Sequence, residues 1–189
     1  MRLVLATRND HKLREFRRLL PGVRIEPLPA EVELPPEDSD TYAGNALGKA
    51  RTAAAALGRA VIADDSGVEA AALDGRPGIH SARFAGAHAS DEDNLAQLRA
   101  EAPAGSPLRY VCVIAHVAAD GTETCFTGTC EGTLAAEARG TGGFGYDPAF
   151  VPSDGGDGRT MAELTDAEKD ALSHRGRAAR RLLQWLEAA

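Results

Sequence analysis

An apolar run, Val61-Ile62-Ala63, ends on two adjacent carboxylates, Asp64 and Asp65, followed by Ser66-Gly67. The run reads as a β-strand, and successive side chains on a strand point to opposite faces. One of the two carboxylates should therefore face inward, where a charge is costly unless it is paired or holds a metal. Two readings follow from the residues alone. Either this is an ordinary strand end with a Ser-Gly turn, or it is a metal site.

The rest of the chain narrows the setting. Its 189 residues suit one domain of moderate size spanning 1–189, or one domain with two lobes, and 43% hydrophobic with 26% charged residues reads as soluble and globular. No apolar run reaches the roughly 20 residues of a membrane span. The N-terminal "MRLVLATRND" lacks the apolar segment of a signal peptide, so a cytoplasmic location is expected. A net charge of −7 argues against a protein that coats a nucleic-acid polymer, though not against a nucleotide ligand. Cys112, Cys125 and Cys130 form no C-x-x-C pair and read as reduced, buried thiols. Only Lys12, Lys49 and Lys169 are lysines among 21 basic residues, and Lys and Arg are not interchangeable at a tight phosphate or metal site.

Periodicity supplies the elements. "RLVLAT" predicts a strand, and "HKLREFRRLL" a helix capped by Asn9 or Asp10. That strand–loop–helix order suits an anion at the helix start, and equally an ordinary capped helix. Residues 26–40, rich in Pro and acids, read as an extended surface loop. A helix then runs to Gly58, with Thr41 or Asp40 as cap, Leu47, Ala50, Ala54 and Leu57 as its buried stripe, and Asn45 and Lys49 on another face. Gly44 and Gly48 each cost this helix roughly 1 kcal/mol against Ala, which would be explained by close packing there. "AVIAD" and "GVEAAALDG" predict two short strands, and Ser90 with Asp93 a capping box. Residues 108–132 read as a hairpin with a type I′ turn at Asp120-Gly121. Residues 139–159 read as a long loop. Thr165 and Glu168 box the C-terminal helix, which Ser173 is expected to divide.

Residues 140–145, "GTGGFG", match G-x-G-x-x-G, but Pro148 and Pro152 forbid the helix that a dinucleotide fingerprint needs. What remains is a loop that places Phe144 and Tyr146 either as a stacking platform for a base or as plugs in the core.

Five segments taken together resemble the inosine triphosphate pyrophosphatase family: "LATRNDHKLREF", "TYAGNALGKA", "ADDSGVEAAALDGRPGIHSARFAG", "GTGGFGYDPAFVP" and "AELTDAEKDALSHRGRA". They stand in the family's order, and all three lysines fall inside them. The resemblance implies an α/β fold: a long twisted mixed sheet flanked by helices, in two lobes with a central cleft. It implies Mg²⁺-dependent hydrolysis of non-standard purine nucleoside triphosphates (ITP, dITP, XTP) to the monophosphate and pyrophosphate, by a homodimer. It carries phosphate binding onto the loop Thr7, Arg8, Asn9, Asp10, His11 and Lys12. Asp65 would be metal ligand and catalytic base, with Ser66 contacting substrate. Glu37 best matches the second metal ligand, and Asp38 and Asp40 stand beside it. Phe144, Gly145, Tyr146 and Asp147 would form the nucleoside pocket, with Lys169, His174 and Arg175 reading the base. Two departures are visible: Gly44 replaces a usual acid, and His80 a frequent Tyr. A pyrophosphatase for modified pyrimidines or standard nucleotides, and a silent nucleotide sensor, are the rival readings.

Overall fold

Leu3 and Leu5 turn to one face of the first strand and Val4 and Ala6 to the other, and all four are buried. A strand buried on both faces needs a helical layer on each side. The computed structural model, which describes residues 1–155 and 157–188, supplies both layers. The elements are β1 (Arg2–Leu5), α1 (Asp10–Leu19), β2 (Arg24–Pro27), α2 (Tyr42–Leu57), β3 (Val61–Ala70), α3 (Asp91–Glu101), β4 (Pro107–Val117), β5 (Glu123–Leu134), β6 (Phe150–Pro152), α4 (Asp166–Leu172) and α5 (His174–Ala188). The strands form one six-stranded sheet in the order β2-β1-β3-β4-β5-β6. It is mixed: β1 pairs in parallel with β2 and β3, while β5 and β6 are antiparallel. Among the described residues, no helix is long and apolar enough to cross a membrane.

By internal contacts the chain divides into two units, one of residues 1–65, 112–128 and 177–189, the other of residues 66–111 and 129–176. The first unit holds two apolar layers. Leu3, Leu5, Ile25, Ile62, Cys112 and Ile114 pack with Phe16 and Leu19 of α1 and Ala178, Ala179 and Leu182 of α5. Val4, Ala6, Val61, Ala63, Ala115 and Val117 pack instead with Ala46, Ala50, Ala53 and Ala54 of α2. Alternation along the strands sorts these residues to opposite faces, as a period of two requires. The second unit has its own core, in which Val68, Leu98, Leu108, Tyr110, Cys130, Leu134, Phe150 and Met161 meet.

Several local expectations hold. Thr41 caps α2 and Gly58 ends it in the left-handed conformation. Capping boxes stand at Ser90/Asp93 and Thr165/Glu168, and Ser173, at ψ 155°, separates α4 from α5. A Cβ on Gly44 would collide with Ser39 Oγ, which accounts for glycine there, whereas at Gly48 the nearest atom is Pro35 Cγ at 3.8 Å, an ordinary contact.

Other expectations need correction. "AVIAD" and "GVEAAALDG" do not make two strands: β3 runs unbroken through Asp64-Asp65-Ser66-Gly67, because both carboxylates find partners and no turn is needed. The stretch 26–40 is not wholly loop, since β2 reaches Pro27 and pairs with β1, and 139–159 contains β6. In α2 the buried positions include Ala46 and Ala53, while Leu47 and Leu57 are only partly covered. The hairpin turn is not type I′, which needs positive φ at both central residues. Gly121 has φ +87°, Asp120 is not among the residues of positive φ, and Asp120 Oδ1 accepts from the Thr122 N–H at 2.9 Å. Cys112 and Cys130 are buried, but Cys125 is exposed.

Candidate active site

Asp64 and Asp65 are 1% and 4% exposed, so both carboxylates face inward rather than one. Each is covered by a different helix, because adjacent strand residues face opposite layers. Asp64 turns toward α1, where Lys12 Nζ lies 3.0 Å from its Oδ2. Asp65 turns toward α2, where Asn45 Nδ2 donates to its Oδ2 at 3.0 Å. Asn45 is held in that orientation because its Oδ1 accepts from the Ser39 N–H at 3.0 Å. Lys49, one helical turn further along α2, donates to the Asp64 carbonyl at 2.7 Å and to Glu37 Oε1.

This cluster, wholly within the first unit, balances three carboxylates against two ammonium groups. Burial pushes the Asp65 carboxyl above its usual range, and the charge of Lys49 and the Asn45 hydrogen bond only partly oppose it. Burial works to lower Lys49, but Asp64 and Glu37 outweigh it and its ammonium is held more firmly than usual. Among the three acids offered by the 37–40 loop, Glu37 is the half-buried one that meets Lys49, while Asp38 and Asp40 are exposed. Glu37 also adds negative potential at Asp65. Among the described residues no cluster of three or more His, Cys, Asp or Glu side chains suits a metal. Two mutually repelling carboxylates without sulfur or imidazole do fit the hard-cation pattern: Mg²⁺ takes one or two protein carboxylates and leaves its other positions to phosphate and water.

The loop before α1 is tightly self-bonded. Asn9 is the N-cap and accepts from the His11 and Lys12 N–H groups at 2.9 and 3.1 Å. Thr7 Oγ1 accepts from the Asn9 N–H at 3.2 Å. Asp10 stands exposed in the first turn, and the His11 ring lies 2.9 Å from Arg14. Arg8 points away from this group. Its guanidinium donates to the carbonyls of Leu28, Pro29, Ala30 and Val32 at 2.6–3.2 Å, and so ties down the following loop.

The second unit gathers the other sequence-predicted residues. Arg175 donates to Ser66 Oγ at 2.8 Å. Arg175 and Lys169 lie 5.6 and 5.2 Å from the centroid of Phe144, both within cation–π range. Lys169 also pairs at 2.7 Å with Asp147, a buried acid that accepts from the Phe144 N–H at 2.9 Å. The Gly145 N–H donates to Asp91 at 2.8 Å. Tyr146 is a core anchor, its hydroxyl donating to the Ser81 carbonyl at 2.7 Å. His174 is buried, with its ring stacked on Tyr110. The arrangement offers a half-buried aromatic face flanked by two cations, which suits a flat, electron-rich ring system.

The residues that the family resemblance assigns to the site leave out Asn45, Lys49 and Asp64, although Asp64 stood out beside Asp65 and Lys49 as one of three lysines. Their signal was present in the i, i+4 pairing of Asn45 with Lys49 and in the scarcity of lysine. Chemically, the first cluster can bind a cation and a polyanion and take up a proton, and the second can bind a base.

Comparisons with known proteins agree. The chain is 49% identical to a dITP/XTP pyrophosphatase of Symbiobacterium thermophilum over 99% of this chain and 95% of that protein. It is 47% identical to a dITP/XTP pyrophosphatase of Mycolicibacterium paratuberculosis over 98% and 95%. A HAM1 protein from Coxiella burnetii superimposes with a TM-score of 0.87 at 37% identity, over 100% of both chains. The model of the Ham1 family matches residues 3–185. With that match over nearly its whole length, the chain belongs to the Ham1 family.

Proposed function

We propose that this protein is a nucleoside-triphosphate pyrophosphatase that hydrolyses ITP, dITP and XTP to the monophosphate and pyrophosphate. The observation that carries the reading is the pair of adjacent buried carboxylates in the middle of β3, each matched by its own helix. Buried ionic groups of this kind often stabilise a fold less than apolar side chains would, so a purely structural origin is a poor account of them. The relatives at 47–49% identity, named dITP/XTP pyrophosphatases, support the substrate class.

Asp65 and Glu37 would hold a Mg²⁺ ion. When bound, that ion supplies positive charge against the triphosphate and the charge that develops on it. Lys12, at the start of α1, binds phosphate oxygens. Asp65 orients a water for attack on the α-phosphorus. As the new P–O bond forms, the bond from the α-phosphorus to its bridging oxygen breaks, pyrophosphate departs and the Asp65 carboxylate receives the water proton. A carboxylate whose proton affinity is raised by burial is suited to that task. Phe144 stacks on the purine. Arg175, a permanent donor, matches O6 of hypoxanthine and xanthine and conflicts with the amino group of adenine. A homodimer, which the family resemblance implies, and a cytoplasmic location complete the reading. Light scattering and cell fractionation test them.

The deciding experiment is pyrophosphate release from a triphosphate panel with and without Mg²⁺, for the parent and for Arg175→Ala. Preferential turnover of ITP and XTP over ATP that narrows in Arg175→Ala is expected. Turnover of pyrimidine triphosphates alone, or ITP binding without hydrolysis, would overturn the reading.

A further inference from the structure

The nucleoside-site residues carried over from the family resemblance leave out one that touches several of them. Tyr110, on β4, is 5% exposed. Its ring is stacked on both faces: Phe150 lies at 4.2 Å between centroids and 21° between planes, and His174 at 4.4 Å and 16°. Its hydroxyl donates to Asp147 Oδ1 at 3.1 Å. The other oxygen of Asp147 accepts from the Phe144 N–H at 2.9 Å and from Lys169 at 2.7 Å. One side chain thus supports the imidazole by its face, and by its edge supports the acid that orients Phe144 and Lys169.

We propose that Tyr110 is a positioning residue that sets base selectivity, holding His174 in plane through the stack and fixing Asp147, and through it Phe144 and Lys169, by its hydroxyl. The inference rests on the purine reading above and deepens it. A Phe at this position would keep both stacks without burying a hydroxyl, so the oxygen is accounted for by its bond to Asp147. That bond is permanent at working pH, because burial, followed by the neighbouring Asp147 charge, pushes the phenol well above its ordinary range and keeps it a donor. Asp147 is itself 3% exposed, where a carboxylate that loses one of its donors has no solvent to replace it. The carboxylate then relaxes toward its remaining donors, moving Lys169 and the Phe144 backbone with it. A site that discriminates by buried hydrogen bonds loses discrimination when those groups shift. Because the ring contacts and the hydroxyl bond of Tyr110 go to His174, Phe150 and Asp147, its removal should act on base binding and not on bond breaking.

The test compares the parent, Tyr110→Phe and Tyr110→Leu by steady-state kinetics with ITP and ATP in Mg²⁺, and by thermal unfolding. Tyr110→Phe should stay folded and keep its kcat for ITP within about twofold. It should raise KM and lower the ITP/ATP ratio of kcat/KM about tenfold, the scale of one lost hydrogen bond to a charged group. Tyr110→Leu, which also removes the His174 platform, should lose more selectivity. If it fails to fold, Tyr110→Phe decides alone. An unchanged KM and unchanged selectivity in Tyr110→Phe, whatever its melting temperature, would overturn the proposal and leave the enzymatic reading standing. A parent that turned over no ITP would instead overturn both.

Discussion

The substitution Asp65→Asn separates chemistry from stability. The amide is isosteric with the carboxylate, and its side-chain oxygen can keep accepting from Asn45 Nδ2, which now stands at 3.0 Å from Asp65. Asn45 cannot flip to compete, because its own oxygen is held by the Ser39 N–H. The packing and this hydrogen bond therefore survive, while the charge is lost and one acceptor oxygen becomes an amide NH2. Loss of the charge does not harm the fold. The folded-state pKa of Asp65 is raised, first by burial, so its ionisation at neutral pH opposes folding. That raised value already includes the attraction of Lys49 and Lys12, so removing the charge should leave the fold within about 1 kcal/mol of the parent, or roughly 2–4 °C in Tm for a chain of this size. Activity should respond very differently. Loss of a general base lowers rates by about 10²–10⁴-fold, which is roughly 3–5 kcal/mol of barrier. The pair of measurements is pyrophosphate release from ITP and thermal unfolding on one preparation. A variant that keeps turnover within tenfold of the parent, or that melts ten degrees lower, would show that Asp65 serves the architecture and would refute the reasoning.

Two further outcomes follow from the geometry. Gly44→Ala should destabilise α2 by about 1–3 kcal/mol, the range for overpacking, although Ala normally favours a helix. The added Cβ would meet Ser39 Oγ and lie 2.8 Å from Ser39 Cβ, so Ser39→Gly should recover the loss. Higher stability of the single variant in urea would contradict this account. His116 is buried near Trp185, the only tryptophan, with ring centroids 5.0 Å apart. Burial lowers its pKa below 6.5, against a smaller opposing effect of Asp120. Just below pH 6.5 the unfolded chain therefore binds more protons, so this contribution is present above 6.5 and is lost as the pH falls. Urea midpoints followed by Trp185 fluorescence should show that slope in the parent and a flatter one in His116→Leu; equal slopes would remove His116 from the explanation.

Where the sequence spoke through local hydrogen bonds, it was legible. The capping boxes at Ser90/Asp93 and Thr165/Glu168 and the break at Ser173 need only neighbouring residues, and all three are present. The mixed α/β sheet was legible through the family resemblance. Elements fixed by distant partners were not. β2 and β6 have four and three residues, too few for a period to show, and exist because β1 and β5 pair with them. β3 looked like two strands because Asp64-Asp65-Ser66-Gly67 has the composition of a turn. Distant partners such as Lys12 and Asn45, 52 and 20 residues away, make it tolerable as strand interior. Arg8 has partners that a local reading could not show. The family resemblance places it in the phosphate loop, and its guanidinium reaches carbonyls 20–24 residues on.

The placement of the lysines bears on how the protein can be handled. Their side chains are 15%, 9% and 6% exposed at Lys12, Lys49 and Lys169, each paired with an acid, while the outer charge is carried by arginine. Acylating reagents and amine-directed cross-linkers therefore meet a surface almost bare of ε-amino handles, and an adduct found on a lysine by mass spectrometry marks the opening of one of these ion pairs. For the same reason, labelling through lysine would report on the integrity of the centre and not on the exterior.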